Sequence, residues 1–153
     1  MLRQRRFWFA PVVVALLVSL GACDGQATGK SADPGFAGHW TSPQWGEHYI
    51  IVENGVMKII YTHDDGRVVG TLDGTTFSGW WTEVPSRQPT RDAGDVTFRL
   101  TGSGATRTID GTWRYGAEGS LRENWDLTWV DDHVPAEVAA KFSDAAAFIS
   151  HPS

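Results

Sequence analysis

Val96-Thr97-Phe98-Arg99-Leu100-Thr101 alternates apolar and polar side chains without a break and runs into Gly102-Ser103-Gly104. A period of two is the mark of a strand with one face in a core and the other in water. Val96, Phe98 and Leu100 are therefore expected inward, and Thr97, Arg99 and Thr101 outward. The same grammar extends in both directions along the chain. Turn signals stand at Asn54-Gly55, Asp64-Asp65-Gly66, Asp73-Gly74 and Gly116-Ala117-Glu118-Gly119. Together with Gly102-Ser103-Gly104 they separate eight β-rich runs, at about residues 36–42, 47–53, 56–63, 66–72, 75–83, 94–101, 106–115 and 120–130. Consecutive strands joined by tight turns can close into an up-and-down barrel, which removes the unpaired edges of an open sheet. The expectation is an all-β, eight-stranded antiparallel meander or barrel.

Alternation also assigns faces elsewhere. Phe77, Gly79, Trp81 and Glu83 form one inward row, Ile109, Gly111, Trp113 and Tyr115 a second, and Leu121, Glu123, Trp125, Leu127 and Trp129 a third. Ile50-Ile51-Val52 and Ile59-Ile60-Tyr61 are apolar on both faces, so the outer side there needs cover. Val134, Val138, Phe142, Ala145 and Ile149 recur at helical spacing behind Asp131-Asp132, which predicts a C-terminal amphipathic helix over Pro135–Ile149. Its polar positions, Glu137, Lys141, Ser143 and Asp144, carry one base against two acids, so it is expected to pack on the sheet and not on a membrane surface. Val84 to Ala93, with Pro85 and Pro89, reads as a long loop within the same domain.

The first residues tell a different story. Arg3, Arg5 and Arg6 precede an apolar stretch from Phe7 to Leu20 that ends in the small residues Gly21 and Ala22, the pattern of a secretory signal peptide. The stretch contains Pro11 and falls short of the roughly 20 apolar residues that a spanning helix takes. Cys23 is the only cysteine, so no disulfide forms within the chain. Leu20-Gly21-Ala22-Cys23 resembles the lipobox of bacterial lipoproteins. The resemblance implies cleavage before Cys23 and a diacylglycerol on its thiol, with a further acyl chain such as palmitate on the new amino terminus. Two chains already anchor a protein stably in a bilayer. Asp24 resembles the signal that retains enterobacterial-type lipoproteins in the inner membrane. This implies a place in the bacterial cell envelope facing the periplasm, with the outer membrane as the alternative.

Three segments follow: a signal peptide over 1–22, a small and polar tether over 23–35, and a single domain over 36–153. Losing residues 1–22 takes three arginines from thirteen basic residues, leaving ten against eighteen acidic ones and a formal balance of minus eight. Such a charge disfavours nucleic acid and anionic headgroups as partners.

Gly38-His39-Trp40, Gly79-Trp80-Trp81 and Gly111-Thr112-Trp113 repeat a Gly-x-Trp unit. Glycine is expected to make room there for a neighbouring indole. The first unit resembles the opening motif of lipocalins, and the repetition resembles Gly-x-Trp meanders of uncharacterised bacterial β-proteins. The lipocalin resemblance implies a small apolar ligand in a cavity lined by Trp81, Trp113 and Trp125. Against it, each buried Trp occupies roughly 150–250 Å² of surface, and an eight-stranded barrel is only wide enough for its own side chains or one small ligand.

Trp45, in a loop, and Trp80, on an outward position, are candidates for a recognition surface, the alternative being that either lies under the long loop or the C-terminal helix. Glu83 and Glu123 lie on inward rows near strand ends, where exposure at a rim is the favoured reading and a ligand-cation site or a carboxylate pair the alternatives. His39, His48, His63, His133 and His151 are not at metal-ligand spacing, and Asp64-Asp65-Gly66 next to His63 reads as a hairpin turn in preference to a metal site. No hydrolase, zinc-protease or phosphate-loop motif occurs, so no catalytic residue, metal or cofactor is expected. The favoured reading is a membrane-anchored periplasmic lipoprotein with a non-catalytic role, docking a protein partner in the envelope. Lipocalin-like binding of a small apolar ligand is the alternative, and an enzyme using Glu83 and Glu123 the rival class.

Overall fold

Asn54 and Gly55 both adopt positive φ, 59° and 78°, which a two-residue type I′ turn requires and which suits the right-handed twist of the strands it joins. They connect β2 (Gly46–Glu53) to β3 (Val56–Tyr61). Gly74, at φ 58°, opens the equally short turn between β4 (Gly66–Asp73) and β5 (Thr76–Thr82). With β1 (Gly38–Ser42), β6 (Ala93–Thr101), β7 (Thr108–Trp113) and β8 (Leu127–Asp131) the ladder is complete. Each strand pairs antiparallel with the next and β8 returns to β1, giving a closed eight-stranded barrel as expected. The computed structural model describes residues 32–152. The expected signal peptide, Cys23, Asp24 and the expected tether up to residue 31 lie outside them.

Strand direction sorts the connections onto two ends. The base carries the turns at 54–55 and 74–75, the 102–107 turn and the entry of the chain, where the Asp33 carboxylate accepts from the N–H groups of Gly35, Phe36 and Ala37. The mouth carries Pro43–Trp45, Thr62–Asp65, Glu83–Asp92 and the run 114–126.

That last run departs from the expected strand over 120–130. β7 and β8 share only the pairs Thr108–Thr128 and Ile109–Leu127. Above them the chain leaves the ladder, Trp113 and Arg122 exchange backbone hydrogen bonds of 2.9 and 2.8 Å, and Trp125 drops into the interior, 1 % exposed. Gly111 permits this, because a Cβ there would collide with the Trp125 carbonyl and the Phe98 ring. Leu121 and Glu123 are consequently exposed, correcting their place on an inward row. At Gly38 the expected indole is present, the ring of Trp129, whereas Gly79 accommodates the Phe77 ring and adjoining backbone.

The cover on the outer face is where the sequence placed it but in a different form. Ile60, Phe142 and Phe148 make a second core with Tyr49, Ile51, Val69, Val134 and Val138 around it, each large side chain contributing about 1.5–3 kcal/mol on burial. The segment is one α-helical turn, α1 (Ala136–Ala139), followed by 3-10 turns at Ala140–Ser143 and Ala145–Ala147. Asp144 breaks the expected helix by accepting from the Ala146 N–H at 3.2 Å, the local bond that makes Asp a cap instead of a helix-interior residue. Ile149 is exposed, and Phe148 takes the packing position in its stead.

Candidate functional site

Four tryptophans meet beneath the mouth. Trp81 comes from β5, Trp113 from β7, Trp125 from the inward run, and Trp45 from the three-residue turn after β1. Trp45 lies 5.0 Å from Trp125 and 5.4 Å from Trp113, ring centre to ring centre, and Trp81 lies 5.5 Å from Trp113. Most of these contacts are edge-to-face, the geometry the aromatic quadrupole favours, worth about 0.5–1.5 kcal/mol per pair beyond burial. Every indole N–H in the cluster is already used. Trp45 donates to the Asn124 carbonyl at 3.1 Å, Trp81 to the Arg114 carbonyl at 3.0 Å, and Trp113 to Asn124 Oδ1 at 2.7 Å.

Trp125 donates to His48 Nε2 at 3.0 Å, while His48 Nδ1 faces the Gly46 carbonyl at 3.0 Å. A carbonyl only accepts and an indole only donates, so the ring is neutral with its proton on Nδ1. Burial pushes the His48 pKa down to about 3, against a smaller upward pull from the Gly46 carbonyl.

The space left among Trp45, Trp81, Glu83, Trp113, Tyr115 and Trp125 is about 10 Å³, at the lower edge of the roughly 10–15 Å³ that one water needs. The Arg122 guanidinium lies against two of these rings, 4.9 Å from Trp113 and 5.3 Å from Tyr115.

Glu83, at the end of β5, is 8 % exposed. Tyr61 ends the inward row of β3, and its ring crosses Gly66, where any Cβ would collide with it. Gly66 thereby opens the path to the next strand, and the Tyr61 hydroxyl donates to Glu83 Oε1 at 2.7 Å. Burial raises the Glu83 pKa, partly offset by the Tyr61 bond and the nearby His63. Burial and the Glu83 charge hold the Tyr61 phenol well above its ordinary value. His63 and Asp64, from the turn between β3 and β4, complete the group.

The remaining sequence candidates are dispersed. Trp80 is 2 % exposed, on the outer wall beneath the His151 ring, 4.7 Å away, so it offers no free recognition surface. Glu123 lines an open groove of about 470 Å³ on the outside of the barrel with Asp110, Asp126 and Arg99. Glu83 instead lines the small space among the mouth aromatics. Reasoning from sequence set His48 and His63 aside for their spacing and passed over Tyr61. Tyr61 was findable, since counting through two short hairpins places it beside the row that ends in Glu83.

Compared with known proteins, the chain matches no family model, no curated protein and no solved structure.

Proposed function

We propose that this chain is an acyl-anchored lipoprotein of the bacterial cell envelope whose barrel is a non-catalytic module that docks a protein partner at its mouth. The observation that carries the reading is the filled interior. About 10 Å³ among the mouth aromatics leaves recognition to the rim, where Trp45, Arg122, His63 and Asp64 reach solvent. The place of chain entry supports it. Cys23 precedes the strand that starts at the base, so the tether joins the barrel at the end opposite the mouth and leaves the mouth free.

The test is site-specific photocrosslinking in the native host, with the photoreactive residue at position 45 or, as a control, at exposed Thr71 on the outer wall. A discrete protein adduct from position 45 and none from position 71 is expected. No adduct, together with a stoichiometric small molecule in native mass spectrometry, would replace this reading with the lipocalin-like one. Cys23→Ser is expected to abolish palmitate labelling and leave the leader uncut.

A further inference from the structure

We propose that His63, Asp64 and Glu83 form a binding site for a first-row divalent metal ion at the barrel mouth. One imidazole nitrogen and one oxygen from each carboxylate lie within 4.8 Å of one another. Ligand atoms around a tetrahedral zinc, bound at about 2.0–2.1 Å, stand roughly 3.3 Å apart. His63 Nε2 and Asp64 Oδ2 already stand 3.5 Å apart, and both side chains are exposed, with room to turn towards Glu83.

The backbone beneath the donors is tied together. The Val84 N–H donates to the Asp64 carbonyl at 3.0 Å, and Arg87 from the long loop donates to the Asp65 carbonyl and carboxylate, each at 3.0 Å. Trp45 and His63 pack edge to face, their ring centres 5.1 Å apart. Tyr61 occupies one Glu83 oxygen as an outer partner, which leaves the other to coordinate. Such second contacts orient a ligand and sharpen affinity.

Charge supplies the second argument. A buried carboxylate is costly unless something pairs with it, and among the described residues no lysine or arginine forms an ion pair with Glu83. The nearby arginines are engaged elsewhere, Arg67 and Arg87 both on Asp65 at 2.9 and 3.0 Å. A metal ion supplies the missing positive charge. An imidazole with two carboxylates suits zinc or its first-row neighbours over magnesium or calcium, which take oxygen alone.

His39 shows what a non-site looks like. It also has two carboxylates, but Glu47 sits on Nε2 and Asp131 on Nδ1, so the acids bracket the ring and do not converge with one nitrogen on a point.

The experiment is calorimetric titration of zinc chloride into the purified full chain in detergent, carrying Cys23→Ser so that no thiol competes. One zinc per chain is expected, at least tenfold weaker in His63→Ala and in Glu83→Gln, and unchanged in His39→Ala. Absence of binding, or binding that survives both mouth substitutions, overturns the site. Should Glu83→Gln fail to fold, the exposed His63→Ala decides alone. The result does not depend on whether a protein docks at the mouth.

Discussion

At its base the barrel turns in two residues at Asn54-Gly55 and Gly74-Thr75, while at its mouth the connections lengthen to the whole of Glu83–Asp92 and 114–126. The ends also differ in how they settle their charges. At the base the Arg107 guanidinium lies 3.3 Å from the Trp129 ring centre and 3.4 Å from the Asp132 carboxylate, so aromatic face, cation and anion are all partnered within the chain. At the mouth Arg122 covers Trp113 and Tyr115, but Glu83 has only a phenol and the neighbouring His63 for company. Short turns close a barrel cheaply, and long ones bring distant side chains together and leave some of them unfinished.

The hardest blow to this contrast comes from Trp125→Ala. Removing the ring that fills the upper interior should cost about 3–5 kcal/mol in denaturant unfolding, and it strands the His48 acceptor. A loss below about 1 kcal/mol would mean that the mouth is not filled by its own residues.

Acid should then act through His48. Its folded pKa, about 3, lies below the ordinary value of about 6.5, so between these values the unfolded chain binds the extra proton. Its contribution to stability is complete above about pH 6.5 and falls as pH drops, by up to about 1.4 kcal/mol per pH unit. His48→Gln, compared over pH 7 to 4 by thermal melts, should flatten that slope.

A smaller effect separates the turns themselves. Gly55→Ala places a side chain at φ 78° and should cost about 1 kcal/mol. Gln44→Ala, at an exposed position in the mouth turn, should stay within about 0.5 kcal/mol. Equal costs would erase the distinction.

The smallest change, and the one of opposite sign, is Glu83→Gln. A carboxyl whose folded pKa is raised destabilises the fold as pH climbs through that pKa, because the folded chain then holds a proton the unfolded one has released. Metal-free Glu83→Gln should therefore melt slightly higher than wild type at pH 8, with the gap closing towards pH 4. A gap that widens on acidification would contradict the burial of this carboxyl.

Much of the base was legible from residues alone, since Asn54-Gly55 and Asp73-Gly74 name their turns and Val96, Phe98 and Leu100 name their face. The inward rows through Trp81 and Trp113 followed from the same alternation. Glu123 misled for tertiary reasons, and Trp80 left two readings open for the same kind of reason. The alternation of Leu121 through Trp129 is unbroken, and only the opening at Gly111 tells the chain to leave the sheet before Leu127. Trp80 points outward as expected, yet the cover over it arrives from His151, far along the sequence. Nor did any local pattern bring Glu83 beside His63 and Asp64. That meeting depends on two hairpins keeping register and on Gly66 lacking a side chain.

The separation of the tryptophans gives each end its own spectroscopic reporter. Trp40 and Trp129 meet at 5.1 Å near the base, apart from Trp45, Trp81, Trp113 and Trp125 near the mouth. In a chain labelled with fluorotryptophan, an event at the mouth should shift the fluorine resonances of those four indoles and leave Trp40 and Trp129 still, so a single spectrum locates whatever binds.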